Sequence, residues 1–183
     1  THELLEEISL LKQRNRELEQ SETDRQRAEE SLRISLGQVR RVLETTARVL
    51  GLALAARDPY TEEHQKRTSD LARAIATEMG FPRDRVDGIR IASYVHDIGK
   101  ISLPAEILSK PTKLSAAELF LVKQHAELGY EILKDVESPW PLPQIVYQHH
   151  ERMDGFGYPR GLKGGEIIIE ARILVVAEVV EGM

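Results

Sequence analysis

The sequence predicts an all-α protein, a helical bundle domain preceded by a long N-terminal coiled-coil helix. The first fifty residues contain no proline and no aromatic side chain and are dense in Glu, Arg, Gln and Leu. Beyond them, segments around 46–57, 61–79, 83–99, 115–134, 140–151 and 170–182 carry apolar residues at i, i+3 and i+4, the spacing that lines one face of a helix. Turn signals separate these segments: Pro59, the Gly80-Phe81-Pro82 triplet, LPAEIL and ESPWPLP.

Each element has a local reason. With Ile8 at heptad position a, Leu11 falls at d, Asn15 at a and Leu18 at d. A polar stretch of Glu22, Arg25 and Glu29 follows, and then Leu32, Leu36, Val39, Leu43, Thr46 and Leu50 in unbroken phase. Asn15 at an a position fixes register and favours two parallel strands at some cost in stability. Residues 1–45 are therefore expected to form the stalk of a parallel homodimer; a lone amphipathic helix folded back on the domain is the alternative. Ser115 followed by Glu118 is a capping-box start. The stretch EIIIEARILVV has some β character, but its length and its Ala and Glu content favour a helix. The chain opens on Thr1 and stops at Met183 inside a helical pattern, which reads as a piece of a longer protein: a domain over 46–183 truncated at its C-terminus, with a sensor domain expected upstream.

Composition narrows the function. The net charge of -5 argues against a DNA groove, which needs a basic face. There is no cysteine, so neither a disulfide framework nor a thiolate metal site can form. No apolar run has the length of a membrane span and no signal peptide opens the chain, so the expected compartment is the cytoplasm.

Six histidines are present, and five of them, His64, His96, His125, His149 and His150, fall on or at the ends of the domain helices. His125 is in phase with Leu121, Leu128 and Ile132, while His149 and His150 follow Ile145 and Val146 by four residues each, so these imidazoles are expected to point inward. One inward histidine is more often a satisfied core residue than a ligand. Five bring polar nitrogens that must all be paired when buried, and a shared metal centre pairs them together. Asp97 follows His96 in an apolar stretch, and Glu178 lies among Val175, Val176, Ala177, Val179 and Val180. A buried carboxylate implies a cationic partner; the competing reading of Glu178 is a solvent-exposed helix edge. Imidazole and carboxylate without sulfur suit Fe, Mn, Zn, Ni or Co. Seven ligands exceed what one ion uses, so two divalent ions about 3.5 to 4 Å apart are expected, with a bridging hydroxide as nucleophile at phosphorus.

The motifs HDIGK, QHAELGYEIL and HHERMDGFGYPRGLKGGEI, in that order, resemble the HD-GYP family, HD-superfamily phosphohydrolases that hydrolyse cyclic di-GMP. The resemblance covers about residues 46–183 and implies an HD-superfamily helical bundle. It implies that His64, His96, Asp97 and the carboxylate of Glu178 hold one metal and that His125, His149 and His150 hold the other, with Asp97 bridging and Fe or Mn the favoured metals. It also implies that Lys100 and Asp58 contact the scissile phosphate and assist the leaving 3′ oxygen. Taken alone, Lys100 could equally be a solvated residue at a helix end.

The signature loop, with Asp154, Gly155, Gly157, Tyr158 and Pro159, borders the family's site and is implicated in contacts with diguanylate cyclase domains. Its glycines, Gly155, Gly157 and Gly161, are expected at unusual backbone angles, which a rigid connector would also explain. Tyr158 and Arg160 are candidate contacts to guanine or phosphate. Two departures stand out: the family has aspartate where this chain has Glu178, and Tyr60 replaces the glutamate of members with three metals, which points to two. The function this implies is a dimeric, metal-dependent phosphodiesterase opening cyclic di-GMP to pGpG, with GMP as the further product. The rival is a scaffold or binding module of weakened catalysis; an HD phosphohydrolase of mononucleotides would leave the second histidine set and the loop without a purpose.

Overall fold

The computed structural model describes residues 2–55 and 62–183, so Asp58 and Tyr60 lie outside the described residues. The helices are α1 (His2–Ala55), α2 (Glu62–Glu78), α3 (Arg83–Val95), α4 (Ala105–Leu108), α5 (Ala116–Lys123), α6 (His125–Leu133), α7 (Leu142–Gln148) and α8 (Ile169–Glu181), with 3₁₀ turns at Ile98–Ser102 and Gly164–Glu166. No strand occurs among the described residues. The chain divides into two compact units, one ending at Leu43 and one spanning Glu44–Met183.

The first unit is helix alone. Its polar middle is laced by contacts one turn apart: Arg25 reaches both Glu22 and Glu29 at 2.7 Å, and Arg33 reaches Glu30 at 2.8 Å. Such pairs stabilise a helix by a few tenths of a kcal/mol each. The heptad leucines stand in the open, Leu11 at 58% and Leu18 at 61% exposure.

In the second unit α3 is central. Val86 and Ile89 of α3 pack with Ala72 and Ala76 of α2 and Ile173 and Ala177 of α8, where small side chains let the helices approach. Further along, Ile91, Ala92 and Val95 meet Leu133 of α6, Ile145 and Val146 of α7 and Leu174 of α8. The second cluster lies directly beneath the histidines, because Val95 precedes His96 and Val146 precedes His149 by one turn.

The helix expected over 115–134 is two helices. The capping box starts α5 as predicted, with the Glu118 N–H donating to Ser115 Oγ (3.3 Å) and the Ser115 N–H donating to Glu118 Oε2 (2.7 Å). At Gln124 the chain tightens, its N–H donating to the Leu121 carbonyl (3.1 Å), and this i→i−3 closure resets the helical phase. The expected stripe is therefore wrong in part: Leu121 and Ile132 are 40% and 42% exposed, while Ala126, Gly129 and Leu133 share the buried face with His125.

The segment expected as one helix over 83–99 also ends early, at Val95, and continues as the 3₁₀ turn Ile98–Ser102. Gly99 explains the change. A Cβ placed there would lie 1.9 Å from the His125 carbonyl oxygen and 2.6 Å from the Gly129 nitrogen, so backbone meets backbone where the turn crosses α6. The stretch EIIIEARILVV begins on the last residue of the second 3₁₀ turn and enters α8 at Ile169, a helix as its composition suggests.

Gly99→Ala is expected to force these two backbones apart, at a cost of about 3 kcal/mol or more. Urea unfolding monitored by circular dichroism measures it, and a midpoint equal to wild type would contradict the close approach.

Candidate metal centre

Three histidines sit where helices stop. His96 follows the last residue of α3, His149 follows the last residue of α7, and His125 comes two residues after α5 ends. The last carbonyls of a helix lack intrahelical partners. Each of these imidazoles supplies one: Nδ1 lies 2.7 Å from the Ser93 oxygen for His96, 2.6 Å from the Val122 oxygen for His125 and 2.5 Å from the Val146 oxygen for His149. A carbonyl only accepts, so Nδ1 carries the proton in all three rings. The lone pair of a neutral ring is then on Nε2, aimed into the interior.

Those Nε2 atoms converge. His125 Nε2 lies 3.1 Å from His149 Nε2 and 3.1 Å from His150 Nε2, and the ligand atoms of the three residues all fall within 4.8 Å of one another. Burial, first of all, pushes the His149 imidazole well below its ordinary range, with the neighbouring His150 adding to the effect. Burial followed by His125 pushes His150 down to about 3, and burial also lowers His125. These rings are therefore neutral at pH 7, and the His125 and His149 lone pairs, with Nε2 atoms 3.1 Å apart, repel unless a cation lies between them. The set fits a divalent transition metal by its chemistry: uncharged imidazole donors, tautomers fixed from behind at His125 and His149, and no thiolate.

Asp97 joins this group to a second. Its Oδ1 lies 3.4 Å from His125 Nε2, and its Oδ2 lies 3.4 Å from His96 Nε2 and 2.8 Å from Lys100 Nζ. The 3₁₀ turn makes the last contact, because side chains three apart eclipse there. Glu178, reaching in from α8, places Oε1 2.6 Å from His96 Nε2. Burial opposes ionisation of His96, but the Asp97 and Glu178 carboxylates outweigh it and hold the ring well above its ordinary value. Burial likewise opposes the charge on Asp97 and on Glu178, and the cationic His96 beside them wins, keeping both below the usual carboxylate range.

A cavity of about 560 Å³ opens over these residues and is lined in addition by His64, Lys123, Arg152 and Tyr158. His64 is turned so that Nδ1 pairs with Glu181, which also binds Arg67. Tyr158 stacks on His150 with centroids 4.7 Å apart and planes at 29°; burial, then the Asp97 charge, pushes its phenol up. Arg160 does not line the cavity. Its side chain is exposed, and what the fold uses is its backbone N–H.

The loop is anchored by a residue the sequence reading passed over. Glu151 is buried and accepts the N–H of Arg160 (2.7 Å) and of Leu162 (2.8 Å). Asp154 accepts the Phe156 N–H (3.0 Å). Gly155 and Gly161 have φ of +80° and +66°, but Gly157 does not have the expected left-handed angle. It is glycine because a Cβ would lie 2.3 Å from the Arg152 nitrogen. Glu181 was also missed; it lies one turn after Glu178 on α8, on the side that faces α2.

The family model for the HD domain matches residues 47–182. The chain belongs to the HD domain family. Its sequence is 37% identical over 170 residues to the cyclic di-GMP phosphodiesterase response regulator RpfG of Xanthomonas campestris pv. campestris, covering 90% of this chain and 45% of that protein. It is 42% identical over 137 residues to a cyclic di-GMP phosphodiesterase of Thermotoga maritima, covering 74% and 37%. This HD domain chain thus spans less than half the length of either relative. Among solved structures it resembles Bd1817, an HDG"Y"P protein from Bdellovibrio bacteriovorus, with a TM-score of 0.55 at 24% identity over 63% of this chain and 38% of that one, a likeness of fold.

The metal-free HD domain is expected to lose stability as pH falls from 7 to 5. His125, His149 and His150 are all lowered by burial when folded but take up protons below about 6.5 when unfolded, so the unfolded state binds more protons there. Each contributes a slope of up to about 1.4 kcal/mol per pH unit. His96, with its raised value, works the other way, its stabilisation being lost as pH rises through the folded value. Urea midpoints in chelator at pH 5, 6 and 7 should fall toward acid, less steeply in His150→Asn; a flat profile would contradict the assignment.

Proposed function

We propose that this chain is the catalytic part of a metal-dependent phosphodiesterase that opens cyclic di-GMP to linear pGpG, with GMP as the further product. The observation that carries the reading is the convergence of imidazole Nε2 atoms and two carboxylates on one cavity beside Lys100. The named activities of the relatives support the same substrate. We assign His64, His96, Asp97 and Glu178 to one divalent ion and His125, His149 and His150 to a second, with Asp97 between them, Fe or Mn being the favoured metals. Its two oxygens facing different histidines support the bridging role. Such ions supply Lewis-acid charge at the phosphoryl oxygens and lower the pKa of water.

The protein's own groups do the rest. Lys100, held at 2.8 Å by Asp97, neutralises charge developing on the phosphorus oxygens and stands ready to protonate the leaving 3′ oxygen, directly or through Asp58. Tyr158 keeps its proton and offers a hydrogen bond from a ring fixed against His150. The extra methylene of Glu178 does not withdraw it from the cavity, since its carboxylate meets His96 at 2.6 Å, and this favours an enzyme over a decayed scaffold. The exposed heptad leucines support a parallel homodimeric stalk that relays a signal from an upstream sensor domain. Phe156, 87% exposed at the tip of the loop, suits contact with a partner such as a diguanylate cyclase domain. No helix among the described residues is long and apolar enough to cross a membrane, and a cytoplasmic location agrees with this.

Protein purified anaerobically should carry two ions per chain and convert cyclic di-GMP to pGpG with Mn or Fe(II), and chelation should abolish turnover. Lys100→Met should lower kcat by about 10²-fold with metal content intact. Absence of bound metal, or two ions without turnover, would overturn the enzyme reading.

A further inference from the structure

The cations of the cavity are not equally available to a ligand. Three basic side chains line it among the described residues: Lys100, Lys123 and Arg152. Lys100 is committed to Asp97 at 2.8 Å. Arg152 is committed to Asp154, with Nη2 at 2.7 Å and Nε at 3.1 Å from its carboxylate oxygens. Lys123, in the last turn of α5, makes no ion pair with a described carboxylate. Its Nζ is seated over the Tyr158 ring, 5.2 Å from the centroid, and that ring stacks in turn on His150. A lysine in a last turn also complements the helix dipole, but that role does not require the ammonium to lie over an aromatic face at the edge of this cavity.

We propose that Lys123 binds the second, non-scissile phosphate of a cyclic dinucleotide, and this assignment rests on the phosphodiesterase reading above. Such a substrate brings two phosphodiester charges. The metal centre and Lys100 deal with the one that reacts. The other must be neutralised by the protein, whose net charge is -5, and an uncommitted ammonium on the same wall does this without breaking an existing ion pair. The aromatic seat lowers the entropic cost of using a long, flexible side chain, because the ring holds the ammonium near its binding position before the ligand arrives. Lys123 is thereby a specificity residue, separating a dinucleotide with a second phosphate from any simpler diester.

The test compares cyclic di-GMP with bis(p-nitrophenyl) phosphate, a diester with one phosphate, in the full chain loaded with Mn. Lys123→Gln should raise KM for the dinucleotide about tenfold, the loss falling on KM rather than kcat. The ratio of its kcat/KM on the dinucleotide to that on the small diester should drop by a similar factor. Lys123→Arg should restore most of the ratio, Lys123→Glu should lower it further, and the salt dependence of KM should flatten in Lys123→Gln. Wild-type turnover with an unaltered ratio in Lys123→Gln overturns this assignment alone. Wild-type protein that turns over neither diester overturns the phosphodiesterase reading and this assignment with it.

Discussion

The hydrogen bond from an imidazole Nδ1 to the carbonyl three residues earlier is the interaction on which the centre depends. It occurs at His96, His125 and His149, and each time it answers a need of the backbone, since a helix that stops leaves carbonyls without donors. The same bond fixes the tautomer, the ring orientation and the direction of the remaining lone pair. Helix termination and the aiming of Nε2 into the cavity are therefore a single event here. A histidine in the middle of α3 or α7 would have found its carbonyls already taken and its ring free to rotate.

Packing then brings the three helix ends together. The close crossing of Gly99 over α6 sets Asp97 against His125, and the apolar cluster of Val95, Ile145, Val146 and Leu174 sets the ends of α3 and α7 under α8. The hydrophobic effect supplies this convergence without regard to what the polar groups require. The cost appears in the polar groups: the neutral imidazoles of His125 and His149 are held with their acceptors face to face, and a partly buried carboxylate pair lies beside them. Such an arrangement is destabilising in isolation: burial lowers His125, His149 and His150, and only at His96 do the carboxylates outweigh it.

Much of this was legible in the sequence. An apolar helical run ending in His-Asp before glycine, and another ending in His-His before a glycine-rich loop, announce helix ends that carry inward-facing polar groups. The tightening at Gln124 was not legible, because no glycine or proline marks it in the sequence, and so the phase assigned to His125 through Leu121 and Ile132 failed although its burial held. Glu151 and Glu181 escaped notice for a different reason. Each looks like a surface glutamate locally, and each gains its role from backbone N–H groups or basic side chains that only the tertiary fold brings near. The one local signal was position: Glu151 directly follows the histidine pair, and Glu181 follows Glu178 by one helical turn.

The two halves of the cavity differ in protonation, and this follows from where the carboxylates enter. Asp97 and Glu178 both face His96, so that ring keeps a proton in a buried network of opposite charge. His149 and His150 meet mainly other imidazoles; burial lowers both first, and then His150 makes protonation of His149 harder and His125 that of His150. The histidine triplet is consequently uncharged and able to donate to a cation, whereas His96 would first have to give up its Nε2 proton to do so. Asp97 stands at the boundary with one oxygen toward each half, and Lys100 draws on the same carboxylate. Both carboxylates therefore couple the two halves electrostatically: Asp97 acts on His96 and His125, and Glu178 acts on His96 and His149.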